Sequence, residues 1–189
     1  MKIQISLSTA KQQLTPAFRA WFKQSKVVDK NGNPRRCYHG TIHPVESFHI
    51  DSHGKNDFGY LGVGFYFTAR AGIANSYGTK DLGGHILPVY LSLQNPYIIH
   101  QGNWQSNEHG YGRVVAISQA FQAAGMDFSS ANRDAAKQYR RELEEQGYDG
   151  IIDDTDGEMT QIVAFYPSQI KSAVGNNGNF DPKHPHITH

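Results

Sequence analysis

One cysteine, Cys37, stands in the whole chain of 189 residues, which excludes an internal disulfide and any all-cysteine metal site. Folding must rest on apolar packing, and a reducing cytoplasm is the expected setting. No apolar run approaches the roughly 18 residues of a membrane span, and the start Met-Lys-Ile-Gln-Ile-Ser-Leu-Ser lacks the apolar core of a secretory signal. A soluble protein with no membrane partner is expected. Excess charge is lacking too: 18 Lys+Arg against 17 Asp+Glu leave a formal net charge of +1. That excludes a dedicated polybasic nucleic-acid binder, though not a nucleic acid as substrate. The 10 histidines include no i, i+4 pair with an intervening glutamate, so no metal is expected. His184, His186 and His189 lie in a Pro-rich end and read as solvent-exposed.

What is present centres on residues 59–78, where a glycine-rich approach, an aromatic strand and a short helix follow one another. The glycines at 59, 62 and 64 allow sharp turns or close backbone approach, and Phe65, Tyr66 and Phe67 suit a half-buried pleat. Alternation puts Phe65 and Phe67 on one face and Tyr66 on the other. A core-facing Phe pair then turns the Tyr66 hydroxyl toward a cleft, and a helix over 69–77, capped by Thr68, brings Tyr77 back beside it. The plainer reading is that both tyrosines pack in a core and hydrogen-bond a neighbour.

Thr15-Pro16 opens a helix over about 15–24 with an apolar stripe of Phe18, Trp21 and Phe22. Val27-Val28 and residues 35–41 read as strands joined by an Asn-Gly turn. On the second of these, His39 and Cys37 share a face, and Gly40 leaves bare backbone beside the imidazole. Taken alone, His39 reads first as a buried histidine bonded to a neighbouring carbonyl. Cys37 and His39 also raise a cysteine nucleophile, although an i, i+2 pair points outward in parallel. Residues 43–61 and 102–112 read as loops. Strands are expected over 85–93, 97–99, 148–152 and 160–165, the last two antiparallel across an acidic turn, with helices over 112–124 and from 129 or 130 to 146. One domain over 1–174 is expected, then a polar, flexible tail over 175–189.

Three pieces stand together: Tyr38-His39-Gly40-Thr41, then Gly64-Phe65-Tyr66-Phe67-Thr68 with Tyr77, then Gln161-Ile162-Val163-Ala164-Phe165. Their order resembles the ADP-ribosyltransferases of the diphtheria-toxin and poly(ADP-ribose) polymerase class, with a His-Gly, a Tyr and an acidic residue opening a late strand. Gly-Tyr-Asp-Gly-Ile-Ile and Gln-Ile-Lys-Ser-Ala are similar to the transferase domains of phage and bacterial polyvalent proteins. The resemblance implies an α+β fold of split antiparallel sheets around an NAD cleft, with flanking helices. It further implies a mono-ADP-ribosyltransferase that takes NAD as substrate and modifies a protein or nucleic-acid acceptor. His39 would hold a ribose hydroxyl, the Gly40 backbone would pair with the nicotinamide amide, and Thr41 would complete that edge. Tyr66 and Tyr77 would sandwich the ring.

At the head of the late strand the family pattern has glutamate, and this sequence has Gln161. An amide keeps an acceptor oxygen but carries no charge and cannot act as a base. A catalytically weak NAD-binding module is therefore the alternative. Glu158, then Asp156 and Asp154, are candidate substitutes from the preceding turn, which is otherwise a solvated acidic loop.

Overall fold

The computed structural model describes residues 15–42, 44–49, 59–78, 84–100 and 108–189, the side chains of 75–78 excepted. Two open sheets form its frame. In the first, β1 (Cys37–Thr41), β3 (His85–Leu91) and β7 (Ile170–Ser172) run antiparallel in the order β1-β3-β7. In the second, the order is β2 (Phe65–Phe67), β6 (Gln161–Ala164), β5 (Gly150–Asp153) and β4 (Tyr97–Ile99), with only β4 and β5 parallel. This is the expected α+β architecture of helices with two mostly antiparallel sheets.

Period-two alternation divides the side chains of the second sheet between two cores. Phe65, Phe67, Ile152 and Ile162 join Cys37 and Val89 between the sheets. Ile151 and Val163 face the other way, onto Ala135, Ala136, Tyr139 and Leu143. Those residues come from α4 (Phe128–Glu145), which lies beside α3 (Gly110–Ala123). Each large side chain buried this way contributes about 1.5–3 kcal/mol. Helix α4 starts where Asp127 accepts the Ser130 N–H, two or three residues earlier than the serines alone indicate.

Helix α1 (Pro16–Phe22) forms as its sequence predicts, with the Thr15 hydroxyl oxygen accepting the Phe18 N–H and proline at the first helical position. Its stripe of Phe18, Trp21 and Phe22 packs on Tyr90, Ala173 and Phe180. Pro88 is tolerated inside β3 because its position opposite Tyr38 requires no N–H: Tyr38 sends its own N–H and C=O to Thr68 instead.

Three expectations change. Val27-Val28 forms no strand, only a bridge from Val28 to Pro34, since the turn is closed by Asp29 side-chain bonds to the Asn31 and Asn33 N–H groups. The segment after Ala173 is not a loose tail: Phe180 is 1% and Ile187 3% exposed, each in a core of the body. Two apolar residues are few, but they fill holes that the body leaves open. Lys171, itself 1% exposed, donates from Nζ to the carbonyls of His184 and His186. The three tail histidines, read as exposed, cluster together and are half-buried, with His184 and His189 stacked at 4.2 Å between ring centroids.

Candidate active site at the split between the sheets

Strands β1 and β2 belong to different sheets, and among the described residues one backbone bridge joins them, from Tyr38 to Thr68, the residue after β2. Tyr38 donates its N–H to the Thr68 carbonyl at 2.8 Å and accepts the Thr68 N–H at 3.0 Å. Strand polar groups alternate between edges, so Gly40, two residues on, aims its N–H and C=O at the same edge. Continued ladder pairing would bring Gly40 opposite Tyr66. Instead the strands part, and the His39 ring takes the Tyr66 carbonyl at 2.8 Å through Nδ1. Gly40 has no partner at that edge among the described residues.

A carbonyl only accepts, so Nδ1 carries the proton. Burial pushes the His39 pKa below its ordinary 6.5, against the opposing effect of the Tyr66 carbonyl. The ring is therefore neutral at pH 7, and Nε2 is left as an acceptor. Phe48 and Phe67 hold it in place, with centroids 5.2 and 5.5 Å from the imidazole. The tail reaches this point too: Ser172 donates to the Ile187 carbonyl, Ile187 donates to Glu46, and Ser47 bridges to His186. Phe48 sits on the segment so stapled.

Phe65 and Phe67 face the core as alternation requires, but the Tyr66 hydroxyl does not open into a cleft. It donates to the Gly62 carbonyl at 2.7 Å and accepts the Leu61 N–H at 3.0 Å. The 59–62 turn delivers both groups; Gly59 sits at φ 73°, and a Cβ there would lie 2.6 Å from the Gly62 oxygen. A side chain at Gly64 would run into Val163, which explains the glycine there. The Thr68 hydroxyl accepts the Arg70 N–H, and α2 (Ala71–Gly78) begins beyond it. Tyr77 lies on α2, and its side chain is outside the described residues, as is most of the 43–61 loop. Thr41 ends β1 opposite His85.

On β6, Gln161 shares the face of Val163, which pairs with Tyr66. Tyr66 and Gln161 thus stand on one side of the second sheet, and His39 fills the gap at its edge. The Gln161 Oε1 is buried with no hydrogen-bond partner among the described residues. The substitutes from the acidic turn are engaged elsewhere. Glu158 pairs with Arg35 at 3.1 Å, Asp156 with Arg70 at 2.6 Å and the Thr160 hydroxyl at 2.6 Å, and Asp154 accepts the Met159 N–H. Sequence reasoning passed over Asp153, which β5–β6 pairing sets directly opposite Gln161. A hairpin register drawn through Ile151 and Val163 would have found it.

Cys37 is fully buried and its thiol is pushed up to about 12 by desolvation, so it offers no thiolate nucleophile near neutral pH. A cleft of about 660 Å³ between Lys30, Arg35, Asp154 and Met159 contains none of His39, Tyr66 or Gln161. Among the described residues no group of three His, Cys, Asp or Glu could hold a metal ion, and no helix is long and apolar enough to cross a membrane.

Helices with two mostly antiparallel sheets that part beside His39 and Gly40 are consistent with the α+β fold of an ADP-ribosyltransferase. The chain belongs to the family described as ADP-ribosyltransferase in polyvalent proteins, whose model matches residues 29–180. No curated protein matches it. Among solved structures, a crystal structure of an anti-CRISPR protein is similar at 14% identity and a TM-score of 0.35, over 70% of this chain and 90% of that one. That likeness is too distant to bear on function.

Proposed function

We propose that the protein is an NAD-dependent mono-ADP-ribosyltransferase, moving ADP-ribose from NAD to a protein or nucleic-acid acceptor with release of nicotinamide. The observation that carries this reading is the parted Gly40–Tyr66 edge with a neutral His39 wedged in it. Nε2 of His39 suits a ribose hydroxyl as donor. The Gly40 N–H and C=O match the oxygen and NH2 of a carboxamide. Tyr66 on one side and, by family resemblance, Tyr77 on the other stack on the pyridine ring, each contact worth ~1–3 kcal/mol by analogy with base stacking.

In the reaction the ribose C1′–N bond breaks and its electron pair leaves with the nicotinamide nitrogen. The ribose carbon takes on oxocarbenium character, a lone pair of the acceptor closes the new bond, and the acceptor's proton passes to solvent. Gln161 holds a ribose hydroxyl through Oε1 but cannot take a proton, which favours a single transfer over chain elongation. The acceptor belongs to the cytoplasm of a host or target cell.

Nicotinamide release from NAD, followed with label on the ADP-ribose in a cell extract, tests this. Release with label transferred to a macromolecule is the expected result. A chain that neither binds NAD by calorimetry nor releases nicotinamide overturns it, and binding without release makes it an NAD-binding module.

A further inference from the structure

We propose that the Asp153 carboxylate supplies, from the neighbouring strand, the negative charge that the family pattern places at position 161. This rests on the transferase reading above. Asp153 and Gln161 are register partners on β5 and β6. Directly opposed residues on one face of an antiparallel pair hold their Cβ atoms about 4.5–5.5 Å apart. The face is that of Val163 and therefore of Tyr66.

Two side chains divide the work of one glutamate. Gln161 presents a buried amide oxygen with no partner among the described residues, suited to a ribose hydroxyl. Asp153 presents charge. It is 4% exposed and in no ion pair among the described residues. Its Oδ1 accepts the Thr155 N–H at 3.2 Å and hydroxyl at 2.8 Å, which fixes the carboxylate's direction. Oδ2 accepts no hydrogen bond from the described residues. The other candidate carboxylates are turned aside: Asp156 and Glu158 are in ion pairs with arginines, and Asp154 closes its own turn onto Met159.

Asp153→Asn keeps the Oδ1 acceptor for Thr155 and removes only charge, so it separates an electrostatic role from a turn-forming one. The test measures kcat and KM for nicotinamide release, with melting temperatures, for the full chain, Asp153→Asn, Asp153→Asn/Gln161→Glu and Glu158→Gln. The expected result is a kcat about 10²–10³-fold lower in Asp153→Asn with KM changed by less than roughly threefold. Adding Gln161→Glu should restore kcat to within about tenfold of the native chain, because the charge returns on the facing strand. Glu158→Gln should stay within about twofold. Undiminished kcat in Asp153→Asn overturns the proposal, and so does a loss that Gln161→Glu fails to rescue, whatever the melting temperatures. A native chain inert to NAD is a different failure: it removes the transferase reading, and this inference falls with it.

Discussion

Replacing Tyr66 by Phe removes one oxygen and leaves the ring, and the structure says what that oxygen holds. The hydroxyl donates to the Gly62 carbonyl at 2.7 Å and accepts the Leu61 N–H at 3.0 Å, and Leu61 is 0% exposed. Without it, a buried donor and a buried acceptor lose this partner together. Each such loss costs about 1–3 kcal/mol, so a total of about 2–4 kcal/mol is expected after partial relaxation. For a chain of this size about 1 kcal/mol shifts the melting temperature by roughly 2–4 °C, which sets the fall at about 5–15 °C. Thermal unfolding by circular dichroism reads this directly. The ring is kept, so below the melting range Tyr66→Phe should bind NAD within a fewfold of the native chain, while Tyr66→Ala should lose about 1–3 kcal/mol of binding. A Phe variant that melts with the native chain refutes the anchoring role. One that melts lower and also loses NAD as Ala does shows that the hydroxyl, not the ring, meets the ligand.

Since the folded His39 pKa lies below 6.5, the unfolded chain binds more protons as pH drops past that value. Its contribution to stability is complete above about 6.5 and is lost as pH falls through the lowered folded value. NAD affinity should fall along the same limb because Nε2 ceases to accept, and a KM that stays flat through the pH at which NMR shows the His39 imidazole protonating would count against the neutral tautomer. Cys37, raised to about 12, should resist thiol reagents at pH 8 in the folded chain and react on denaturation; fast native labelling would contradict its burial. Lys171→Met leaves the His184 and His186 carbonyls without their Nζ donor, each costing about 1–3 kcal/mol, offset in part by loss of a desolvated charge. Amide exchange should quicken over 174–189 and not in α4, and equal protection across the tail would disprove the latch.

Much of the local geometry around the candidate site was legible because it depends on local chemistry. Alternation in Phe65-Tyr66-Phe67, bare backbone at Gly40, and Thr15-Pro16 at the start of α1 each follow from neighbours within a few residues. The amide in place of a carboxylate at position 161 is likewise a statement about one residue.

Other features depend on which distant groups arrive at the same place. The Tyr66 hydroxyl was expected in a cleft; its partners come from a turn whose glycines bend it back onto the strand. Of the two sequence readings of His39, the structure shows the carbonyl-bonded histidine, and the other ring nitrogen has no partner among the described residues. Periodicity cannot count nitrogens against acceptors supplied by another strand. The last residues looked too polar to pack, because composition measures what a segment can bury alone and not the holes that Phe180 and Ile187 fill in the body. By itself the sequence determined most of the elements, the faces of their strands and the residue types at the candidate site. Tertiary structure decided where β1 and β2 part and which carboxylate faces Gln161, because strand register couples residues that chain neighbours cannot bring together.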